Sequence, residues 1–269
     1  MSFEWRGPWD NSKFNAGVTD MEKTIGNADR GNTNNYSCPL VQPSAIPSSY
    51  LGRKKRLFDV ILALLSAVAW LPAIITCYLA IWLTDGRPVF YVSKRRVSHH
   101  IISMVKFRTM VRNADKLYNR ATVPISNNVR FLNTPPDSSL YTPVGRLIER
   151  FTLTEIPQIL HVLMGDMSIV GNRPLPESVI ASLFEFNPNV YLRFRTPSGM
   201  TGAPQLVGRE IISDTDRLML EITYCRMASE SYHWCMDLKI LWYTIVISLG
   251  LKKPLSVEET RDFLLSYSI

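Results

Sequence analysis

Two closely spaced blocks carry the residue types best suited to phosphate chemistry. The first is Thr152-Leu153-Thr154-Glu155-Ile156-Pro157-Gln158, and the second is Gly165-Asp166-Met167-Ser168-Ile169-Val170-Gly171-Asn172-Arg173-Pro174. Thr154 reads as a helix N-cap, because its hydroxyl can accept from a backbone N–H that lacks a helical partner. Pro157 then falls in the first turn, where a proline is tolerated. Glu155 sits at the same helix start, where the dipole favours a carboxylate. That placement by itself accounts for the glutamate. A glutamate close to Arg173 and other cations also suits a divalent metal with phosphates, since Mg2+ is usually held by one or two carboxylates plus substrate phosphate oxygens.

The second set of residues is cationic: Lys94, Arg95, Arg96, Lys106, Arg108, Arg146, Arg173 and Arg209, spread over expected turns and element ends. Singly, each reads as a solvated surface charge. Together, beside an apolar segment, they suit anionic lipid headgroups or a phosphorylated ligand, and arginine grips phosphate oxygens bidentately. Pro197-Ser198-Gly199-Met200-Thr201-Gly202, with Gly208-Arg209 downstream, is either an ordinary tight turn or a nest of backbone N–H groups for an anion. His99, His100, His161 and His233 show no metal-ligand spacing, and no Ser/His/Asp order stands out. Cys38, Cys77, Cys225 and Cys235 lie far apart with no CxxC pair, which argues against a disulfide framework or a Cys-rich zinc site.

These residues need elements to position them. The most prominent is an apolar run from Leu57 to Leu83, preceded by Arg53-Lys54-Lys55-Arg56 and followed at a distance by Lys94-Arg95-Arg96. At about 1.5 Å per residue a straight helix of this length reaches roughly 40 Å, enough to cross a hydrocarbon core of about 30 Å. Pro72, near its middle, breaks the helical ladder. Basic flanks on both sides favour the same, cytoplasmic face, so the run reads as a re-entrant, proline-broken membrane helix. A true crossing and a buried soluble helix are the alternatives.

Val89–Val92 and Ile101–Val105, with the basic stretch as their turn, predict a β-hairpin. Short helices are expected at Val144–Glu149, from Ile156 to Leu163, from Leu175 to Phe186 and from Leu218 to Tyr232. Leu238–Leu251 reads as core or as a second interfacial helix, and residues 112–140 as a helix start followed by loop. The fold class is therefore α+β and mostly helical: a re-entrant membrane helix, a small hairpin and several short amphipathic helices. Residues 1–49, rich in Asn, Ser, Gly and Pro, read as a disordered extension, 50–253 as a membrane-associated domain and 254–269 as a C-terminal tail. Met21 is an alternative start.

The 269-residue chain carries 30 Lys+Arg against 23 Asp+Glu, a net charge of +7. Its mean hydropathy of +0.01 averages a polar beginning with the apolar run. Nucleic acid would ask for a basic stripe with a recognisable motif, and none is present.

From Lys54 to Lys253 the chain resembles the bacterial sugar transferases, the monotopic polyprenyl-phosphate phosphoglycosyl transferases. The matching pieces, in family order, are Lys55-Arg56-Leu57-Phe58-Asp59, the Pro72-broken helix, Asp85-Gly86-Arg87-Pro88-Val89-Phe90, Arg95-Arg96-Val97, Lys106-Phe107-Arg108-Thr109-Met110 and Val144-Gly145-Arg146. They continue with Glu155-Ile156-Pro157-Gln158, Gly165 to Pro174, and Ser198-Gly199-Met200-Thr201-Gly202. The resemblance implies transfer of a sugar phosphate from a nucleotide-diphosphate sugar to polyprenyl phosphate, at the start of exopolysaccharide or other lipid-linked glycan synthesis. It implies a bacterial inner-membrane protein on the cytoplasmic face, with membrane lipid as a partner, an aspartate attacking the β-phosphorus and the next glutamate helping to hold Mg2+. A homo-oligomer is allowed by the sequence without being specified by it.

The family reads Ser-Leu-Asp-Glu-Leu-Pro-Gln, so its nucleophilic aspartate aligns with Thr154. Ser98 likewise stands where a glycine is usual. Two functional readings follow. One is an active transferase with altered chemistry, in which Thr154, Glu155 or Asp166 substitutes as nucleophile or the polyprenyl phosphate attacks directly. The other is a catalytically impaired relative that binds the same ligands as a membrane scaffold or regulator.

Overall fold

In a computed structural model the residues described are 48–97, 100–114, 138–177, 179–180, 183, 187–208 and 212–267. Residues 1–47 of the expected disordered extension, most of 112–140, half of the helix expected from Leu175 to Phe186, Ser98, His99 and Arg209 lie outside the described residues, while Ser48 and Ser49 already belong to a helix.

The apolar run forms two helices, α1 (Ser48–Leu65) and α2 (Ala67–Thr84). The break falls at Ser66, six residues ahead of Pro72, which lies within α2. Ser66 Oγ donates to Leu62 O at 2.7 Å and to Ala63 O at 3.2 Å, and Trp70 Nε1 donates to Ala63 O at 2.8 Å. Side-chain donors thus satisfy carbonyls at the break, which in an apolar setting would otherwise cost several kcal/mol each. α2 is long and apolar enough to cross a membrane by length and composition, and only 11% of it is buried.

α1 is not apolar on every face: Lys55, Asp59 and Ala63 recur every four residues and form its buried stripe. Lys55 Nζ donates to Asp237 Oδ2 at 2.5 Å, with both side chains essentially sealed from water. Asp237 also accepts from Tyr224 OH (2.8 Å) and Tyr232 OH (2.9 Å). Arg56 donates to Val162 O and, at 2.6 Å, to Leu163 O. The Arg53–Arg56 cluster is therefore partly a set of structural donors, which a reading of it as a membrane flank misses.

β1 (Phe90–Arg96) and β2 (Ile101–Phe107) form the expected antiparallel hairpin, in register from Phe90 opposite Phe107 to Arg96 opposite Ile101. Lys94, Arg95 and Arg96 belong to β1 rather than to the turn, so they alternate between its faces. α3 (Pro143–Arg150) starts at Thr142, whose hydroxyl accepts from Gly145 N (2.9 Å) and donates to Asp85 Oδ2 (2.7 Å). Gly145 lies where a Cβ would stand 1.9 Å from Thr109 O. A 3-10 segment, Leu153–Gln158, leads into α4 (Ile159–Met164).

β3 (Ser168–Val170) pairs in parallel with β4 (Gly199–Thr201), a long-range pairing that local periodicity does not reveal. The two chains cross closely: a Cβ on Gly199 would stand 2.1 Å from Gly171 N, and one on Gly171 2.2 Å from Pro197 O. Glycine is therefore explained here by close backbone approach. α5 (Asp214–Glu230) and α6 (Trp234–Ser248) complete the main core with Leu220, Tyr224, Met227, Met236 and Ile240. α7 (Val257–Leu265) begins in a Ser256–Glu259 capping box, packs on α5 and buries Leu264. Within 254–269, residues 257–265 thus form a helix that meets the core through Thr260 and Leu264.

A buried charge that loses its partner is strongly destabilising. Asp237→Ala should cost about 3–5 kcal/mol by leaving Lys55 unpaired, seen as a lower unfolding temperature and faster proteolysis between α1 and the body in detergent micelles. An unchanged unfolding temperature would refute the role given to this pair.

Candidate functional site

The segment that carries Thr154 and Glu155 owes its shape to one unusual residue. Thr152, between α3 and the 3-10 segment, has φ 56°, ψ 22°, a left-handed conformation rare for a β-branched side chain. Its N–H donates to Glu149 O at 3.0 Å. The chain folds back there, and Thr154 comes to lie against the end of α3. Thr154 is consequently not the N-cap; its hydroxyl donates to Glu149 Oε2 at 2.5 Å and the residue is buried.

Glu155 points to Arg173, with which it makes a bidentate pair: Arg173 Nη1 donates to Glu155 Oε2 at 2.9 Å and Nη2 to Oε1. Attraction to Glu155 holds the Arg173 guanidinium above its usual range, against the opposing effect of burial, and Glu149 adds to the attraction. Two carboxylates and a hydroxyl therefore gather with one arginine. Glu149 is the participant that sequence reasoning missed, because its relation to Thr154 depends on the left-handed residue between them.

Arg173 is itself supported from behind. Arg193 Nη2 donates to Arg173 O at 2.9 Å, while Arg193 Nε donates to Glu221 Oε2 at 2.7 Å in a sealed ion pair. Asn172 Nδ2 donates to Arg193 O (2.8 Å) and Cys225 Sγ (3.1 Å). Burial pushes the Cys225 thiol up to about 11, so it stays neutral and structural.

The other cations have varied placements. Arg96 pairs with Glu177 at 2.5 Å. Arg108 is buried and donates from Nη2 to Asp85 O and Gly86 O, both at 2.9 Å, which pins the turn after α2. Arg95 Nε donates to Ser93 Oγ at 3.3 Å, and Lys106 Nζ lies 5.3 Å from the centre of the Tyr91 ring. Lys94 is exposed on β1, and Arg146 is exposed on α3, donating to Ser138 O at 3.4 Å. β2 packs on the Leu153–Gln158 segment, so the hairpin stands beside the Glu155 group. Asp166 is engaged elsewhere, by His161 Nδ1 at 3.1 Å and His100 Nε2 at 3.5 Å.

Among the described residues no three His, Cys, Asp or Glu side chains converge as a metal cluster. Glu155 is the carboxylate here that would help to hold a hard divalent cation whose shell is completed by phosphate oxygens.

Carboxylates and an arginine set beside a long, exposed apolar helix suit a transferase of phosphorus-containing groups that works at a lipid surface, and the comparisons with known proteins agree with a phosphoglycosyl transferase. Over residues 50–250 the chain matches the bacterial sugar transferase family, and it belongs to that family. It is 31% identical over 199 residues to the exopolysaccharide production protein ExoY of Sinorhizobium fredii, covering 72% of this chain and 84% of that protein. It is 30% identical over 211 residues to the sugar transferase EpsL of Bacillus subtilis, covering 77% of this chain and 94% of that one. The undecaprenyl-phosphate galactose phosphotransferase of Salmonella typhimurium is 30% identical over 206 residues, 72% of this chain but only 40% of that longer protein.

Removing one member of a buried pair costs far more than replacing both with apolar residues. Arg193→Met and Glu221→Met singly should each destabilise by about 3–5 kcal/mol, while the double variant loses less than either. Thermal unfolding of the four proteins checks this; simple additivity would contradict the pairing.

Proposed function

We propose that this protein transfers a sugar phosphate from a nucleoside-diphosphate sugar to a polyprenyl phosphate, at the cytoplasmic face of the bacterial inner membrane, in exopolysaccharide synthesis. The observation that carries the reading is the Glu155–Arg173 group beside an apolar surface. Leu147, Phe151, Leu160 and Met164, on α3, α4 and the segment between them, are 50–62% exposed. A prenyl chain and a bilayer surface are apolar partners for such residues. The relatives named for exopolysaccharide production and for undecaprenyl-phosphate galactose transfer support the same chemistry.

Both ends of the apolar segment return to one body, which supports a re-entrant anchor. Lys55 and Arg56 fasten α1 to α6 and α4. At the other end Cys77 and Ile81 of α2 pack with Val89, Phe107 and Ile148. Between these anchors Leu64, Leu65, Val68 and Leu71, around the Ser66 break, are 47–83% exposed. That apex is the part to enter lipid deepest.

In this reading Arg173 and the hairpin cations bind the diphosphate, and Glu155 is oriented by Arg173 at the site. A bound Mg2+, held by Glu155 and phosphate oxygens, would neutralise charge on the diphosphate. The exposed apolar residues around α3 and α4 keep the acceptor's phosphate near the site while its chain stays in lipid.

The full chain in detergent with Mg2+, undecaprenyl phosphate and UDP-glucose or UDP-galactose should release UMP. Glu155→Gln should lower that release by about a hundredfold or more, and removal of Mg2+ should abolish it. Binding of UDP-sugar without any release would instead assign the chain to the scaffold reading, which Thr154 at the aspartate position favours.

A further inference from the structure

The transferase reading leaves one chemical role without an owner. The family's attacking aspartate is replaced by Thr154, and the structure shows what accompanies the change. Thr154 Oγ1 donates to Glu149 Oε2 at 2.5 Å. Thr154 is only 5% exposed, whereas Glu149 is half-buried at the end of α3. A hydroxyl sealed from the surface is badly placed to reach phosphorus, even with a carboxylate beside it as a base. The carboxylate it holds is better placed, is a stronger nucleophile when ionised, and leaves readily from phosphorus.

Resting on the transferase reading, we propose that Glu149 is the nucleophile of this protein and that Thr154 is the positioning residue that orients it. The left-handed Thr152 makes this arrangement by folding residue 154 back onto residue 149. Glu155 occupies Arg173 bidentately, so the two carboxylates divide the work: one is fixed by the arginine and the other is aimed by a hydroxyl.

The step balances without a further reagent. A carboxylate oxygen of Glu149 attacks the β-phosphorus of the nucleoside-diphosphate sugar. A new O–P bond forms as the bond from that phosphorus to the α,β-bridging oxygen breaks, and the electron pair leaves with the nucleoside monophosphate. An anionic oxygen of polyprenyl phosphate then attacks the same phosphorus. The Glu149 O–P bond breaks, the carboxylate is restored, and the product is a polyprenyl diphosphate sugar. Thr154 keeps its proton throughout and donates it to Glu149 as a hydrogen bond.

The test uses the full chain in detergent with Mg2+ and UDP-glucose or UDP-galactose, first without acceptor. The parent should show a burst of UMP and a phospho-sugar adduct on the peptide that holds Glu149, released by hydroxylamine as an acyl phosphate is. Glu149→Gln should lose the burst and about a hundredfold or more of turnover with acceptor present. The double variant Glu149→Gln, Thr154→Asp should regain the burst, which shows that the glutamine variant folds. Thr154→Val should lower kcat about tenfold with KM nearly unchanged, and Thr154→Ser should restore it. An adduct on Thr154 that resists hydroxylamine, or a full burst in Glu149→Gln, overturns the assignment while leaving the transferase reading intact. A parent that binds UDP-sugar and releases no UMP overturns the transferase reading and the assignment with it.

Discussion

A lysine and an aspartate one helical turn apart on α1 join the apolar anchor to everything else. Lys55 meets Asp237, which also takes the hydroxyls of Tyr224 and Tyr232. Asp59 accepts from Ser168 Oγ at 2.9 Å and Ile169 N at 3.0 Å. Burying charges is costly unless each is paired and its remaining hydrogen-bonding capacity is filled. Asp237 meets that condition with three donors from α1, α5 and the loop before α6. Burial and the Asp237 charge hold the Tyr224 phenol well above its ordinary range, so it remains a donor. The geometric consequence is larger than the energetic one. Asp59 grips β3, and β3 leads directly into Gly171, Asn172 and Arg173. The depth of the anchor and the position of the site's arginine are thereby set by the same helix face.

Behind the site the same logic recurs. Arg193 and Glu221 are sealed from water, and Nη2 of the guanidinium donates both to Glu221 and to the Arg173 carbonyl. Arg173 is therefore held through its main chain while its side chain holds Glu155. The parallel pairing of β3 with β4, which only glycines at 171 and 199 allow, closes this layer. Charged side chains do structural work inside the body, while exposed apolar residues lie among the charged ones of α3 and along α4, an arrangement that suits the proposed contact with lipid.

How much of this was legible in the sequence depends on the range of each interaction. The hairpin, the apolar run and α3 follow from local period and caps, and they stand where expected. The break in the run does not follow from Pro72. Pro72 is carried inside α2, while the true break sits where Ser66 and Trp70 can satisfy the carbonyls it exposes. A threonine before Glu-x-Pro has the local pattern of a cap, but the left-handed Thr152, which composition does not advertise, buries Thr154 instead. α7 carries a local signal in Ser256-Val257-Glu258-Glu259, the capping box that starts it.

The cations show why residue type alone could not define the site. Lys94, Arg95, Arg96, Lys106, Arg108, Arg146 and Arg173 are alike in sequence, yet their surroundings separate them. Arg108 is committed to two carbonyls of the turn after α2, Arg96 to Glu177, and Arg173 to a carboxylate. An arginine bound to carbonyls closes a turn, and moving it to a phosphate would leave those carbonyls without partners. An arginine bound to a carboxylate can exchange that partner for a phosphate or share it with a metal ion, because each exchange replaces one charged acceptor with another. Arg96 and Arg173 are the two of these cations paired with a carboxylate among the contacts described, and what sets Arg173 apart is a second carboxylate: Glu155 is in contact with it and Glu149, one fold of the chain away, adds to its field, which is why the proposed chemistry is centred there.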